Sequence, residues 1–500
     1  MAIEVMTTAG RIAGREEGDL AVFRGVPFVE APIGELRFRA PRASTPWTGT
    51  RDCGEYGPFA PQVVGEMQRE VWALDGESSE DCLSLNVWTP AADDGERPVL
   101  VWIHGGAFVV GASSRGVTEG AALARRGDVV VVSVNYRLGA LGWMQLDGIG
   151  GSDYAESGNL GLLDQIFALR WVRDNIAAFG GDPGNVTAFG ESAGSISVAV
   201  LMATPGAEGL FHRAICESGA ASIVRRVDRA REITDAFMEL AGAETVDDLC
   251  AMSPDALVAA QSQIRPRGAE QVLGPTIDDV VVPDSPMDRI RRGVSADIPL
   301  LIGSNLDEYR YWYQTDKRLP TLGTHHLHRR LREVTGGDPE PVIEAYRASR
   351  SDHDDNQLAV ALVGDIAFRM PSIRMAEARE AHGADTWMYL FTRPSPVQGG
   401  RLGAAHAMEI PFVFGNVDVP NVGLFIGDGP DLSLLSDAMM DAWIAFARGG
   451  DPSHNQLGEW PKWSSERRLT MIFDNPCELV ENPLAEERQA WGGAPFTVHS

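Results

Sequence analysis

Cysteine is scarce in this chain: five residues in 500 (Cys53, Cys82, Cys216, Cys250 and Cys477), odd in number, widely scattered and never paired as C-x-x-C. That pattern argues against a disulfide framework and a thiolate zinc site, and it fits free thiols in a reducing compartment. Basic residues are also few, with Lys+Arg 43 against Asp+Glu 70 and a net charge of −27. Such a surface repels phosphate backbones and anionic lipid, so no nucleic-acid partner and no membrane partner are expected. It fits a neutral small-molecule substrate and release of an acidic product, although solubility alone would also account for it. No apolar run approaches the length of a membrane span. The opening M-A-I-E-V-M-T-T-A-G lacks the basic start and apolar core of a signal peptide, so the expected location is cytoplasmic. No internal repeat or low-complexity linker divides residues 1–500, which read as a single domain.

What is present is a composition able to bury a large core, with 44% hydrophobic and 23% charged residues. The chain is organised around Val186 to Met202, V-T-A-F-G-E-S-A-G-S-I-S-V-A-V-L-M. A short strand-like run enters G-E-S-A-G, and a small-residue helical pattern follows at once. This is the strand–turn–helix setting of a nucleophile elbow, in which Ser192 sits on a sharp turn with its hydroxyl projecting above a sheet. Gly190 and Gly194 flank it where side chains would collide with neighbouring elements. The Ala193 amide opens the helix and points toward whatever Ser192 attacks.

A second chemical feature stands upstream. The apolar run Val99 to Ile103 reads as a buried central strand, and it leads directly into H-G-G-A-F, His104 to Phe108. Acyl transfer at a serine develops negative charge on the substrate oxygen, which needs preorganised donors. The backbone amides of Gly106 and Ala107, with Gly105 as a further contributor, suit that task together with Ala193. His104 reads as a hydrogen-bonder that holds the loop. Further buried strands are expected at Val129–Val134 and Phe211–Gly219, with a helix over Leu160–Phe179 between them. Residues 3–28 read as a small antiparallel start, and residues 80–90 as another strand. Alternation of strand and helix calls for a mostly parallel sheet covered on both faces.

These segments together, F-G-E-S-A-G-S, W-I-H-G-G-A-F, S-E-D-C-L-S-L-N-V, V-N-Y-R-L-G and W-V-R-D-N-I-A-A-F-G-G-D-P-G-N-V-T, resemble the type-B carboxylesterase family, and within it the bacterial para-nitrobenzyl-esterase-like enzymes. The likeness runs from the first strands to about Trp463. It implies an α/β-hydrolase fold and a serine–histidine–glutamate triad that hydrolyses carboxylic esters without a cofactor or metal. In the family the acid follows a late strand in a D-E pair. Here Ile298–Gly303 precedes S-N-L-D-E-Y, so the resemblance selects Glu308, with Asp307 as competitor. The segment G-A-A-H-A-M-E-I-P-F-V-F-G-N resembles the family's histidine loop and selects His406. Glu191, Ser218 and Glu409 match family positions close to the triad, where they imply supporting roles.

The chain departs from the family pattern twice. The stretch G-P-F-A-P-Q lacks the cysteine that family members often pair with the one in E-D-C-L, so Cys82 has no such partner. The oxyanion loop is G-G-A rather than G-G-G, which keeps the backbone donors and adds a methyl group. The histidines of H-H-L-H, residues 325–328, have no neighbouring ligand pattern and read as an exposed cluster. Residues 319–382 read as helices covering the site, Trp387–Phe391 as a strand, and Asp437–Arg448 as a C-terminal helix. Phe108, Phe412 and Phe414 are candidate linings of an apolar substrate pocket, which suggests small to medium apolar or aromatic esters. Amide, carbamate or lactone cleavage by the same triad, and a non-catalytic neuroligin-like binding role, are the alternatives. Oligomeric state is not legible in the sequence.

Overall fold

A computed structural model describes residues 2–74, 76–264, 272–315, 324–494, 496 and 498–499. The strands in chain order begin with β1 Ala2–Met6, β2 Arg11–Glu17, β3 Leu20–Pro27, β4 Thr50–Asp52 and β5 Ser84–Thr89. Next come β6 Arg97–Ile103, β7 Val130–Val134, β8 Gly181–Glu191, β9 Arg213–Glu217, β10 Ile223–Arg226 and β11 Thr276–Ile277. The chain closes with β12 Leu300–Asn305, β13 Thr386–Phe391, β14 Leu469–Phe473, β15 Glu478–Glu481 and β16 Val498–His499.

Among the described residues, 13 strands form one sheet in the order β1-β2-β3-β5-β7-β6-β8-β9-β12-β13-β14-β15, with β4 beside β2. The run from β7 to β14 is parallel throughout. Antiparallel strands flank it on both sides. The antiparallel start is therefore continuous with the main sheet through β5. This is a mostly parallel α/β architecture.

Strand β6 shows why the central strands read as unbroken apolar runs. Val99, Val101 and Ile103 enter one buried cluster, and Leu100 and Trp102 enter another on the opposite face. A strand covered on both faces needs apolar residues at every position. The first face is covered by helices Leu160–Asn175 and Ala193–Leu201, the second by Ala121–Gly127 and Leu432–Gly449. The helix expected to run to Phe179 ends at Asn175 and closes with a 3₁₀ turn, Ile176–Phe179, before Gly180 at φ 78°. The C-terminal helix starts at Leu432, earlier than expected, because Leu432 and Leu435 already lie on its buried face.

The expected covering region is helical where it is described: Thr324–Thr335, Glu340–Ser349, Asp355–Gly364 and Met370–Glu380, with a π-helical turn at Asp365–Arg369; a further helix, Arg310–Thr315, precedes it. Residues 319–323, and the side chains of His325 and His326 in the histidine cluster, lie outside the described residues. All five cysteines are free, and Cys82 is buried.

Candidate active site

The first element of the site is the turn between β8 and helix Ala193–Leu201. Ser192 occupies φ 55°, ψ −121°, a conformation that costs an L-residue on the order of 1–3 kcal/mol and persists only when its surroundings over-determine it. Here the Ser192 amide donates to the Glu217 carbonyl at 2.8 Å, and the Ile196 amide donates to the Ser192 carbonyl at 2.9 Å. The glycines are dictated by close approach. A Cβ on Gly194 would stand 1.9 Å from the Ile103 carbonyl oxygen, and one on Gly190 would stand 2.6 Å from the Gly194 carbonyl carbon.

The loop after β6 lies against this turn. A Cβ on Gly105 would meet Glu191 Oε2 at 2.6 Å and Ser192 Cβ at 3.1 Å, so only bare backbone fits there. Gly106, Ala107 and Phe108 follow at φ 117°, 54° and 61°. His104 is buried with Nδ1 2.9 Å from the Gly105 carbonyl, and its ring stacks on Tyr136 at 4.4 Å. The Tyr136 hydroxyl donates to the His104 carbonyl at 2.7 Å. Burial, aided by the nearby Arg115 charge, pushes His104 down to about 3, so it is neutral and holds the loop in shape. At the elbow, Ala193 is the first residue of its helix, where amides have no intrahelical acceptor.

The third element joins the end of β12 to residues 403–409. Glu308 is 2% exposed and accepts three hydrogen bonds. Its Oε2 is 2.5 Å from His406 Nδ1, and its Oε1 accepts from Ser218 Oγ at 2.5 Å and from the Asn305 amide at 2.8 Å. The two segments are stitched by backbone as well: His406 N donates to the Glu308 carbonyl at 3.2 Å and Asp307 N to the Ala404 carbonyl at 2.9 Å. Asp307 faces elsewhere, pairing with Arg310 at 3.0 Å and accepting from the Ala404 amide at 3.1 Å. Between the two candidate acids, the structure brings Glu308 to the imidazole.

His406 is 4% exposed. Its Nε2 lies 2.9 Å from Glu191 Oε1, next to Ser192 in the chain, but no protein group makes a well-directed hydrogen bond to it. Burial alone would lower the imidazole pKa; the charges of Glu191 and Glu308 outweigh it and hold the group well above its ordinary value. Two further carboxyls complete the surroundings. Burial pushes Glu217 up to about 8, against a hydrogen bond from Trp443 Nε1 at 2.8 Å. Burial, reinforced by the charges of Glu191, Glu217 and Glu308, also holds Glu409 well up, and Asn305 Nδ2 donates to it at 2.5 Å. Both shifts favour the neutral carboxyl, the form that packs less negative charge around His406.

The aromatic wall of the site escaped the sequence reading. The rings of Trp312 and Phe368 stand 4.7 Å from His406, and Tyr311 stands 6.4 Å away. The aromatic run directly after the D-E pair, Y-R-Y-W, was the available signal. The three phenylalanines proposed from sequence lie differently. Phe414 packs between Trp102 and Phe189 at 4.9 and 5.6 Å, and Phe412 packs on Phe391 at 5.5 Å, all within the core cluster on one sheet face. Phe108 is buried against Trp143 at 4.7 Å. An apolar ring looks the same in sequence whether it fills a core or a pocket, and Phe412 and Phe414 are core.

A strained serine at a strand–helix turn, on the carboxyl edge of a mostly parallel sheet covered on both faces, defines an α/β-hydrolase. The chain belongs to the carboxylesterase family, whose family model matches residues 2–491. It is 37% identical over 492 residues to the para-nitrobenzyl esterase of Bacillus subtilis (strain 168), covering 97% of each chain. It is 36% identical over 490 residues to a phenmedipham hydrolase of Pseudarthrobacter oxydans, covering 96% of each. Among solved structures, a carboxylesterase of Geobacillus stearothermophilus at pH 6.2 superposes with a TM-score of 0.89 at 39% identity, over 98% of this chain and 99% of that one. The protein is thus a carboxylic ester hydrolase.

Proposed function

We propose that Ser192, His406 and Glu308 form the catalytic triad of a serine carboxylesterase. The observation that carries this reading is the 2.5 Å contact of His406 Nδ1 with Glu308, which turns Nε2 toward the elbow, 2.9 Å from Glu191 Oε1. His406 Nε2 takes the proton of the Ser192 hydroxyl as Oγ attacks the ester carbonyl carbon. The oxyanion is held by the backbone amides of Gly106, Ala107 and Ala193, with Gly105 shaping the loop. The tetrahedral intermediate collapses, the C–O bond to the alcohol breaks, and His406 returns the proton to the departing oxygen. Water, activated by His406, then attacks the acyl-enzyme and releases the acid. Glu308 keeps the imidazole in the productive tautomer and stabilises its cation.

Ser218 and Asn305 hold the Glu308 carboxylate in place, and Glu191 and Glu409 complete the polar surroundings. Trp312 and Phe368 beside the imidazole favour small to medium apolar or aromatic esters. The chain acts as one domain, with its region around residues 319–382 covering the site. A cytoplasmic location is supported by five free thiols, and the acidic surface disfavours nucleic acid and anionic membrane as partners.

The test is Ser192→Ala with para-nitrophenyl butyrate. Turnover is expected to fall by at least about 10⁴-fold with an unchanged melting temperature. Turnover within tenfold of the native rate would remove the assignment.

A further inference from the structure

Arg115 is 7% exposed, and among the described residues no carboxylate pairs with it. Its Nε is closed off from water without a hydrogen bond, and no described residue accepts from its Nη groups. Other buried arginines are matched: Arg137 by Asp164, Arg369 by Asp365 and Glu487, and Arg225 and Arg379 by backbone carbonyls. A guanidinium holds five N–H donors in a fixed fork and keeps its charge even when buried. Leaving those donors without acceptors away from water is costly.

The backbone fixes where this charge stands. Arg115 bridges to Leu74 in an antiparallel pair, and the Gly116 amide donates to the Ala73 carbonyl at 3.5 Å. Both contacts tie it to the segment that carries Trp72, and the guanidinium lies 5.6 Å from the Trp72 ring. From there a chain of rings leads to the imidazole: Trp72 to Phe425 at 5.5 Å, Phe425 to Tyr311 at 6.0 Å and Tyr311 to His406 at 6.4 Å. Burial pushes the Arg115 pKa down, against the influence of Tyr311, Glu191 and Tyr136 nearby. Glu191 is thus near enough to act on Arg115 without pairing with it, and its own contact is His406 Nε2 at 2.9 Å. Ser192, Ala107, Tyr311 and Trp312 are each partly exposed, so the site around the elbow is open to solvent.

His406 Nε2 hands its proton to the departing alcohol oxygen, so the alcohol portion of an ester lies on the side of Nε2. Glu191 stands on that side, and its influence on Arg115 puts the guanidinium there too. A single guanidinium matches a single negative charge, as on a carboxylate, rather than the near-double charge of a phosphate monoester. The net charge of −27 repels anions at long range. Such surface fields are screened within about 8–10 Å in salt, whereas a two-pronged guanidinium–carboxylate contact out of water is not.

We infer that Arg115 selects esters whose alcohol portion carries a carboxylate, with an acyloxybenzoate as the simplest form. The guanidinium takes the carboxylate, and the rings of Trp72, Phe425 and Tyr311 supply apolar surface for the aryl body. A neutral ester of the same shape leaves the Arg115 donors unmatched. The inference rests on Ser192 as nucleophile with His406 as its base, and it narrows the substrate class of that same site.

The test compares kcat/KM for 4-acetoxybenzoate and its neutral counterpart 4-acetoxybenzamide, with phenol release followed by chromatography on the full-length protein. The native protein is expected to prefer the charged ester at least about tenfold. Arg115→Met is expected to erase that preference, mainly by raising KM for 4-acetoxybenzoate, and Arg115→Lys to keep part of it. The melting temperature of Arg115→Met should equal or exceed the native one, because an unmatched buried charge has been removed. A native ratio near one, or the same ratio in native protein and Arg115→Met, would overturn the inference. An equal loss on both esters with a lower melting temperature would make Arg115 a structural residue and overturn it too. In either event, loss of all turnover in Ser192→Ala leaves the triad standing, whereas turnover that survives in Ser192→Ala removes the triad and this inference together.

Discussion

Replacing Glu308 by glutamine separates charge from shape at the acid beside the imidazole. Glu308 Oε1 accepts the buried Asn305 amide and the Ser218 hydroxyl, and Oε2 faces His406 Nδ1. A glutamine amide has one acceptor oxygen. That oxygen must stay with Asn305, since an unmatched buried amide costs about 1–3 kcal/mol. The NH₂ group then faces His406 Nδ1, which becomes an acceptor and leaves the ring proton on Nε2. In that tautomer the imidazole has no lone pair with which to take the Ser192 proton. A neutral side chain also gives up stabilisation of the imidazolium. Together these predict a fall in kcat of roughly 10³–10⁴, or about 4–5.5 kcal/mol of transition-state stabilisation. Asp307→Asn is the matched control. Its carboxylate serves Arg310 and the Ala404 amide, so kcat should stay within about fivefold of native. Steady-state hydrolysis of para-nitrophenyl butyrate, with melting temperatures for both variants, makes the comparison. Glu308→Gln keeping more than about a tenth of the native kcat, or Asp307→Asn losing as much as Glu308→Gln, would refute the reasoning.

The pH profile and the elbow glycine give two more expected outcomes. The imidazole is raised by Glu191 and Glu308, so it stays protonated and idle to higher pH than a free histidine, and kcat/KM should climb only as pH rises through that value. Glu191→Gln removes one of the two charges and should move this acid limb to lower pH; a limb that stays put or moves upward contradicts the electrostatic account. Gly194→Ala brings a Cβ to within 1.9 Å of the Ile103 carbonyl oxygen. The elbow helix must shift, and urea unfolding should show a loss of about 3 kcal/mol or more, whereas an unchanged midpoint would mean the turn has room to spare.

The elbow and oxyanion loop were legible because each is a contiguous motif joined to an apolar strand. Gly190 abuts Gly194 across the turn, while Gly194 is required by the Ile103 carbonyl at the end of the strand that leads into the loop. The central strands were legible for a related reason: burial on both faces leaves a continuous apolar signature, as in β6. The acid and the histidine were not legible from residue chemistry alone. They lie 98 positions apart, and only the family resemblance singled them out from 70 acidic residues and ten histidines. Once the chain is folded, the stitching of residues 305–308 to residues 404–406 explains the choice of Glu308 over Asp307. Phe412, Phe414 and Trp312 show what stayed hidden. Which rings face the imidazole is decided by helix placement over the sheet, and aromatic residue type carries no record of that placement. The early start of the C-terminal helix was missed similarly, since Leu432 and Leu435 reveal their role only against the sheet face they cover.

Ser192 is expected to be the one residue that forms the acyl-enzyme, with His406 as its base. An organophosphonate ester that labels activated serines tests this directly, with intact-mass analysis, peptide mapping and activity followed on the same sample. The expected result is one adduct per chain, on Ser192, with activity falling in step with labelling and His406→Ala blocking both. An adduct on any other residue, or full labelling at Ser192 with hydrolysis undiminished, would contradict it.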